Sequence, residues 1–254
     1  MVVSLFVASA LHQAQIARAH PLFLIGSLVQ PIAFLLIVLN TRDVHEPQAV
    51  MQYAVAILLI SYWGSTVWQG ANILQRERRS GTLKVVIRGV HHPLVVLLGK
   101  AFGATTAPAI LATVTIVAVV VANRLPVHVE SPAWFAVGMV TVLVSGTALG
   151  TLLCSVFLLT RHGNHLSSAL LYPVYLLSGL LIPVTFWPDA IGWVSAPVSL
   201  RWVNTFLSST TSGSPDFAAL AIAWGLTAVY GVLGYLAFAN VLTHVKKKGT
   251  MDVG

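Results

Sequence analysis

Long apolar stretches separated by short polar segments dominate the sequence. A helix needs about 20 apolar residues to cross a bilayer, and six stretches are long enough. They run approximately over Pro21–Asn40, Val50–Leu74, Pro93–Ala122, Pro132–Thr160, Leu166–Phe186 and Asp216–Thr243. The apolar runs are continuous rather than alternating, which favours helices over barrel strands. The pattern therefore predicts an all-α integral membrane fold, a single domain of six transmembrane helices over residues 1–254.

Composition supports this class. Only 8% of the 254 residues are charged, 57% are hydrophobic and the mean hydropathy is +0.85. Soluble domains carry about 25% charged residues, so a soluble fold could not cover its surface. The net charge of +7 does not indicate nucleic acid, because the basic residues lie between apolar runs and form no basic face interleaved with aromatics.

Basic residues in the loops predict the orientation. With an even number of spans, both termini lie on one side, and Lys and Arg concentrate on the cytoplasmic side. The side of the termini holds eleven: Arg18, Arg76, Arg78, Arg79, Lys84, Arg88, Lys100, Arg161, Lys246, Lys247 and Lys248. The other side holds three: Arg42, Arg124 and Arg201. We therefore expect cytoplasmic termini, with residues 244–254 as a cytoplasmic tail.

Two segments outside the regular spans have their own patterns. Residues 1–20 mix apolar and polar side chains and predict a helix in the cytoplasmic interface, with a frayed tail as the alternative. Near residues 184–206, Pro183, Pro188 and Pro197 interrupt an apolar stretch that also holds Trp187. Because this stretch is too interrupted to span, we expect a re-entrant hairpin of short helices packed on protein.

The sequence lacks catalytic and ion-coupling signatures. We expect no acidic or basic residue inside the six spans, which argues against an ion-coupled carrier. The Walker pattern is missing, since Gly99-Lys100 is followed by Ala101 and Leu94 stands where its first glycine belongs. The His162/His165 pair has no third ligand nearby, so we expect no metal site. If ATP drives this protein, another polypeptide binds it.

The segment between the second and third spans, residues 76–92, holds a short amphipathic pattern. Leu83, Val86, Ile87 and Val90 form one apolar stripe at helical spacing. Lys84 and Arg88 form a basic ridge away from it. Such a helix fits the groove of a soluble partner, but a basic loop at the membrane surface explains the pattern equally well.

Polar and aromatic residues concentrate in spans two and five. They are Tyr62, Trp63, Ser65, Thr66, Trp68, Gln69, Asn72, Tyr172, Tyr175 and Ser178. Polar groups that face lipid are costly, so most should face protein or a cavity. As a set they are a candidate substrate pathway; hydrogen bonds between helices and an aromatic belt are the alternative. Gly146 and Gly150 predict close helix packing.

Two motifs resemble ABC-2 type permeases. Glu77-Arg78-Arg79-Ser80-Gly81-Thr82-Leu83 followed by Leu97-Leu98-Gly99-Lys100 is similar to their E-R-x-x-G-T-L…L-G-K stretch. Leu177-Ser178-Gly179-Leu180-Leu181-Ile182-Pro183, Trp187-Pro188 and Ala196-Pro197-Val198-Ser199 resemble the signature after their fifth span, with Ala196 and Val198 departing from the common Asn and Leu. Arg18-Ala19-His20-Pro21 and Gln30-Pro31 look more like the drug- and antibiotic-resistance branch.

The resemblance implies the membrane subunit of an ATP-driven exporter in a bacterial plasma membrane, without catalytic residues of its own. A second six-span subunit, the same chain or a paralogue, and a cytoplasmic ATPase holding ATP and Mg²⁺ would be its partners. The coupling helix would comprise Glu77, Arg78, Gly81, Thr82, Leu83, Lys84, Val86, Ile87, Arg88 and Val90. Spans two and five would line a route for an amphipathic drug, antibiotic or lipid. A lipid-linked glycan exporter and a membrane-embedded enzyme or assembly factor without a pumping ATPase are the alternatives.

Overall fold

The computed structural model describes residues 2–19, 25–41, 47–82, 92–158, 160, 163–181 and 188–248, which form helices and turns without a strand. Nine helices lie in these ranges. They are α1 (Val2–Arg18), α2 (a π-helical turn Ile25–Val29 continuing as Gln30–Thr41), α3 (Pro47–Ser65, a π-helical turn Thr66–Gly70, then Ile73–Arg79), α4 (Pro93–Ala122), α5 (Pro132–Leu158), α6 (Gly163–Leu177), α7 (Asp189–Ser195), α8 (Ser199–Thr211) and α9 (Phe217–Lys248).

Four of these helices are long and apolar enough to cross a membrane: Gln48–Arg79, Pro93–Ala122, Pro132–Leu158 and Phe217–Thr243. They match the predicted second, third, fourth and sixth spans. Shorter apolar helices, Ile25–Val38 and His165–Leu177, lie where the first and fifth spans are predicted. Residues 20–24 and 182–187 at the ends of those two spans fall outside the described residues, so six spans remain a prediction.

Helix α3 lies at the centre of the bundle. Of its most apolar stretch, 72% is buried within the protein, against 22% for α9. The larger apolar core gathers around α3 side chains such as Leu59 and Val67, both fully buried. A second core, near the end of the bundle that carries Arg76, Arg78 and Arg79, joins α3 to α4, α5 and α9 through Ile73, Leu97, Cys154 and Phe238. We call this end the charged end.

Helix α1 packs along the first half of α4. An added Cβ at Gly99 would lie 2.5 Å from the Phe6 carbonyl oxygen, and one at Gly103 would lie 2.8 Å from the Ala10 carbonyl carbon. The contact moves four residues along α1, from Phe6 to Ala10, as it moves four residues along α4, from Gly99 to Gly103. The two helices therefore run in the same direction over this contact. Close approach of this kind requires glycine. The predicted position of α1 in the membrane interface stays a prediction.

Helix α8 begins beside the middle of two long helices. At its first residue, Ser199, the hydroxyl lies 2.9 Å from the Ser145 hydroxyl of α5, and the Ser199 N–H donates to the Tyr230 hydroxyl of α9 at 3.2 Å. Near its other end, the Thr210 carbonyl accepts from the N–H of Ser131, just before α5 begins, at 3.3 Å. Helix α8 therefore extends from the middle of α5 to the end opposite the charged end.

Candidate functional site

Helix α3 departs most from regular helical geometry at a break. After the π-helical turn Thr66–Gly70, residues 71 and 72 form a turn before the helix resumes at Ile73. Side chains bond to the carbonyls of this region: Asn72 Nδ2 donates to Trp68 O at 3.2 Å and Arg76 Nη2 to Gln69 O at 2.8 Å. A π-helical turn inside a long helix is frequent at functional sites.

Helix α5 approaches this break closely. An added Cβ at Gly70 would be 3.8 Å from the Cα of Gly150. One turn away, an added Cβ at Gly146 would lie 2.5 Å from Cζ of Tyr62, so only glycine fits beneath that ring. The close packing predicted for Gly146 and Gly150 is confirmed.

Seven of the ten candidate pathway residues are buried within the protein, and six of the seven make hydrogen bonds. Their hydrogen bonds join α3 to its neighbours: Tyr62 Oη donates to Val142 O at 2.6 Å, Tyr175 Oη to Ile60 O at 2.9 Å, and Asn72 Nδ2 to Ser167 Oγ at 3.1 Å. Three hydroxyls donate within their own helix: Ser65 to Ser61 O, Thr66 to Tyr62 O and Ser178 to Val174 O. Hydrogen bonds within and between helices therefore satisfy the donor groups of these side chains.

The other candidates differ in exposure. Trp68, in the π-helical turn, is 39% exposed, and Tyr172 on α6 is 68% exposed. Tyr172 packs edge-on against Tyr175, with ring centroids 6.3 Å apart. Gln69 is half-buried, and Trp63 is buried with no partner for its Nε1 in the described structure. Two uncharged aromatic rings of α3 and α6 are thus open at the surface of the protomer.

Beyond the break, the last two turns of α3 are fastened to α4 and α5. The N–H of Leu74 donates to Cys154 Sγ at 3.2 Å, and Gln75 Nε2 donates to Phe157 O at 2.9 Å. Glu77 pairs with Lys100 of α4 and accepts a hydrogen bond from the Thr82 hydroxyl. These contacts hold residues 73–82 against the charged ends of α4 and α5.

Glu77 lies in the last turn of α3. It follows the apolar stretch that ends at Leu74, and its side chain is 14% exposed. The hydrogen bonds from Lys100 and Thr82 satisfy its carboxylate there.

Lys100 corrects one expectation from the sequence. It lies two turns into α4, inside the range Pro93–Ala122, and is 8% exposed, so one predicted span does hold a basic residue. A lysine is tolerated there because Glu77 neutralises it near the end of the helix. The second span is also longer than predicted, since the helix continues past Leu74 to Arg79.

Only the first part of the predicted coupling segment lies in the described residues. Glu77 and Arg78 belong to the last turn of α3, and Gly81 has a φ of +72°, a backbone conformation that suits glycine. Thr82 ends the described stretch. Leu83, Lys84, Val86, Ile87, Arg88 and Val90 lie outside the described residues.

The predicted hairpin is partly described. Pro188 immediately precedes α7, and Pro197 lies in the turn between α7 and α8; Pro183 and Trp187 fall outside the described residues. Arg201 Nη1 donates to the Gly192 carbonyl at 2.9 Å and also to the Ser195 hydroxyl, so it binds the end of α7. Trp202 Nε1 donates to the Ala196 carbonyl at 2.8 Å.

Sequence reasoning missed two features that matter here. The Glu77–Lys100 pair joins residues 23 positions apart on different helices, and no local spacing brings them together. Tyr230 bonds to the turn at Pro197. It was not identified as a candidate because it lies among the apolar residues of α9. A signal did exist for the α1 contact, because Gly99 and Gly103 are four residues apart on one helix face.

Comparison with known protein families assigns the chain to one of them. The family model described as ABC-2 type transporter, ABC2_membrane, matches residues 5–211, well over half of the chain. No match to a curated protein was found. The matched region includes the break in α3, the Glu77–Lys100 pair and the two short helices. The chain belongs to the ABC-2 type transporter family and is a membrane component of an ABC transporter.

Proposed function

We propose that this chain is the permease subunit of an ATP-driven exporter and that residues 76–92 dock on a cytoplasmic ATPase. The observation that carries this proposal is the fastening of residues 73–82 to α4 and α5 through Leu74, Gln75 and Glu77. A force applied to the segment that follows reaches three long helices at once. The ATPase subunit, with its own ATP and Mg²⁺, supplies the hydrolysis.

The charge distribution supports a cytoplasmic position for this end. Arg76, Arg78 and Arg79 lie there together, and eleven of the fourteen basic residues are on the same predicted side. The apolar stripe from Leu83 to Val90 would lie in a groove of the ATPase.

The break in α3 is the element through which docking would alter the pathway. It separates the fastened residues 73–82 from the long outer part of the helix and places Trp68 and Gln69 in the π-helical turn. A hinge absorbs a change in backbone angles with little loss of packing. Motion at the ATPase would thereby change the position of Trp68.

The exposed aromatic rings indicate where substrate passes. Trp68 and Tyr172 are open at the protomer surface, and a second six-span subunit, identical or paralogous, would enclose them in a route between the two subunits. Uncharged aromatic walls suit an amphipathic drug, antibiotic or lipid-like molecule. Six of the seven buried candidates would hold this wall in place through their hydrogen bonds.

Residues 184–206 would form a re-entrant hairpin at the outer face. The contacts of Ser199 with Ser145 and Tyr230 support this position, because both partners lie near the middle of long helices. The backbone groups at the turn bond to protein there, as the interior of a membrane requires.

A double substitution tests the docking proposal. Burying one such apolar side chain contributes about 1.5–3 kcal/mol, and about 1.4 kcal/mol changes affinity tenfold. Leu83→Ser with Ile87→Ser should therefore weaken association with the ATPase on the order of a hundredfold or more, measured by pull-down with purified subunits. ATP turnover stimulated by the membrane subunit should fall with it.

The basic ridge provides the matched control. Lys84→Ala with Arg88→Ala should matter less, since an exposed ion pair contributes under about 1 kcal/mol. Unchanged association and turnover in the double serine variant would show that the segment is a basic surface loop without a docking role.

A further inference from the structure

The turn between α7 and α8, residues 196–199, is fastened from several directions; we call it the joint. The Tyr230 hydroxyl makes two bonds to it, donating to the Pro197 carbonyl and accepting from the Ser199 N–H. The Ser145 hydroxyl bonds to Ser199 Oγ, and Trp202 Nε1 donates to the Ala196 carbonyl. Helices α5, α8 and α9 therefore all hold the joint.

The joint lies deep along the two long helices that hold it. Tyr230 follows Phe217, the first residue of α9, by thirteen residues, and Ser145 follows Pro132, the first residue of α5, by thirteen as well. Thirteen helical residues correspond to about 20 Å at 1.5 Å per residue. Both helices begin at the end opposite the charged end, so the joint is at one depth on both. In a hydrocarbon layer about 30 Å thick, lipid offers no partner for the Pro197 carbonyl or the Ser199 N–H.

The two helices that meet at the joint are held very differently. Helix α8 packs on α3, α5 and α9 and buries Leu200, Val203, Phe206 and Leu207. Helix α7 packs mainly against α6 among the described elements, and its Trp193 and Val194 are 83% and 60% exposed. The Arg201 bonds to Gly192 and Ser195 hold α7 at its joint end. Among the described residues, the contacts thus anchor α8 along its length and α7 at its joint end.

We propose that Tyr230 is a positioning residue for transport, and that its hydroxyl fixes the joint as a pivot on which α7 moves to open the outer end of the pathway. The inference rests on the proposed exporter function and assigns a part of its outer gate. The Tyr230 hydroxyl is the group that satisfies both backbone groups of the turn. Without it, the Pro197 carbonyl and the Ser199 N–H lose these partners, and fewer bonds fix the joint end of α7.

Hydrogen exchange measured by mass spectrometry on the intact permease–ATPase complex tests this role. Tyr230→Phe keeps the ring and removes both hydroxyl bonds. The Ser199 amide and the amides of α7 should then exchange roughly 10- to 30-fold faster, as expected for the loss of two hydrogen bonds. Amides 203–209 in α8 should keep their rates, because their packing is unchanged. ATP turnover should persist while substrate moved per ATP falls at least severalfold.

Two variants separate a pivot from general damage. Tyr235→Phe, on the same helix with its ring 56% exposed, should change neither exchange nor coupling. Ser145→Ala removes the side-chain bond to Ser199 but leaves both Tyr230 bonds, so its effect should be smaller than that of Tyr230→Phe. Equal exchange at α7 in the Tyr230 and Tyr235 variants, or faster exchange spread evenly over the bundle, would overturn the proposal. Failure of the unaltered chain to bind any ATPase would instead remove the exporter function, and the exchange comparison would then be made on the permease alone.

Discussion

At the residue scale, the pair of Glu77 and Lys100 is the contact whose loss should destabilise the protein most. Their side chains are 14% and 10% exposed, and they join the ends of α3 and α4. An ion pair this far from water is costly to break on one side, because the remaining charge keeps its burial and loses its partner. The pair also holds Thr82, whose hydroxyl donates to Glu77.

Replacing one partner should destabilise the protein more than replacing both. Lys100→Met leaves the Glu77 carboxylate without its cation and should cost on the order of 2–3 kcal/mol of stability. The double variant Glu77→Gln with Lys100→Met should recover at least half of that cost, since no unpaired charge remains. Thermal unfolding of the purified chain in detergent measures both; additive losses would mean that the two side chains do not interact.

Sequence alone located the polar residues of spans two and five but not their partners. The apolar surroundings of Tyr62, Asn72 and Tyr175 indicated that these groups must bond inside the protein. That Tyr62 bonds to Val142 and Asn72 to Ser167 depends on how each helix is rotated about its axis, and a nearly uniform apolar sequence does not encode that rotation locally. The same limit hid the Glu77–Lys100 pair.

At the scale of elements, the contact between α1 and α4 gives a direct test of packing. The rings of Phe6 and Phe102 lie 5.6 Å apart between centroids. Cysteines at positions 6 and 102 should therefore cross-link on mild oxidation, and the buried Cys154 should not compete. Adding Gly103→Leu should abolish the cross-link, since the larger side chain would collide with the α1 backbone at Ala10.

Gly231→Leu is the matched control for that experiment. Gly231 lies in α9 with no neighbouring atom within 4 Å of an added Cβ. The cross-link between positions 6 and 102 should form normally in this variant. Equal cross-linking with leucine at 103 and at 231 would argue against the α1–α4 contact.

The observed helices match the predicted ones closely where the apolar stretches are long. Helices α4, α5 and α9 begin at or within one residue of the predicted starts at Pro93, Pro132 and Asp216. Prolines at two of these starts explain the agreement, because proline suits the first turn of a helix. Helix α3 ran further than expected because Gln75, Arg76 and Glu77 bond within the protein, so polar residues did not end it.

At the scale of the whole molecule, orientation is the property on which the proposed docking depends. Cysteines at positions 45 and 128 should react with a membrane-impermeant thiol reagent added to intact cells, and cysteines at 80 and 163 should react only after the membrane is opened. The reason is the charge asymmetry of eleven basic residues against three. External labelling at position 80 would place the charged end outside the cell.

Photo-cross-linking from the segment after α3 tests most directly whether an ATPase docks at the charged end. A photoreactive amino acid would replace Ile87 in one variant and His128, on the opposite predicted side, in the other, each expressed with a candidate ABC ATPase subunit. We expect an adduct between that ATPase and the variant at position 87, weakened by Leu83→Ser, and none from position 128. No adduct at 87, with the ATPase present and the permease in the membrane, would contradict the proposed coupling.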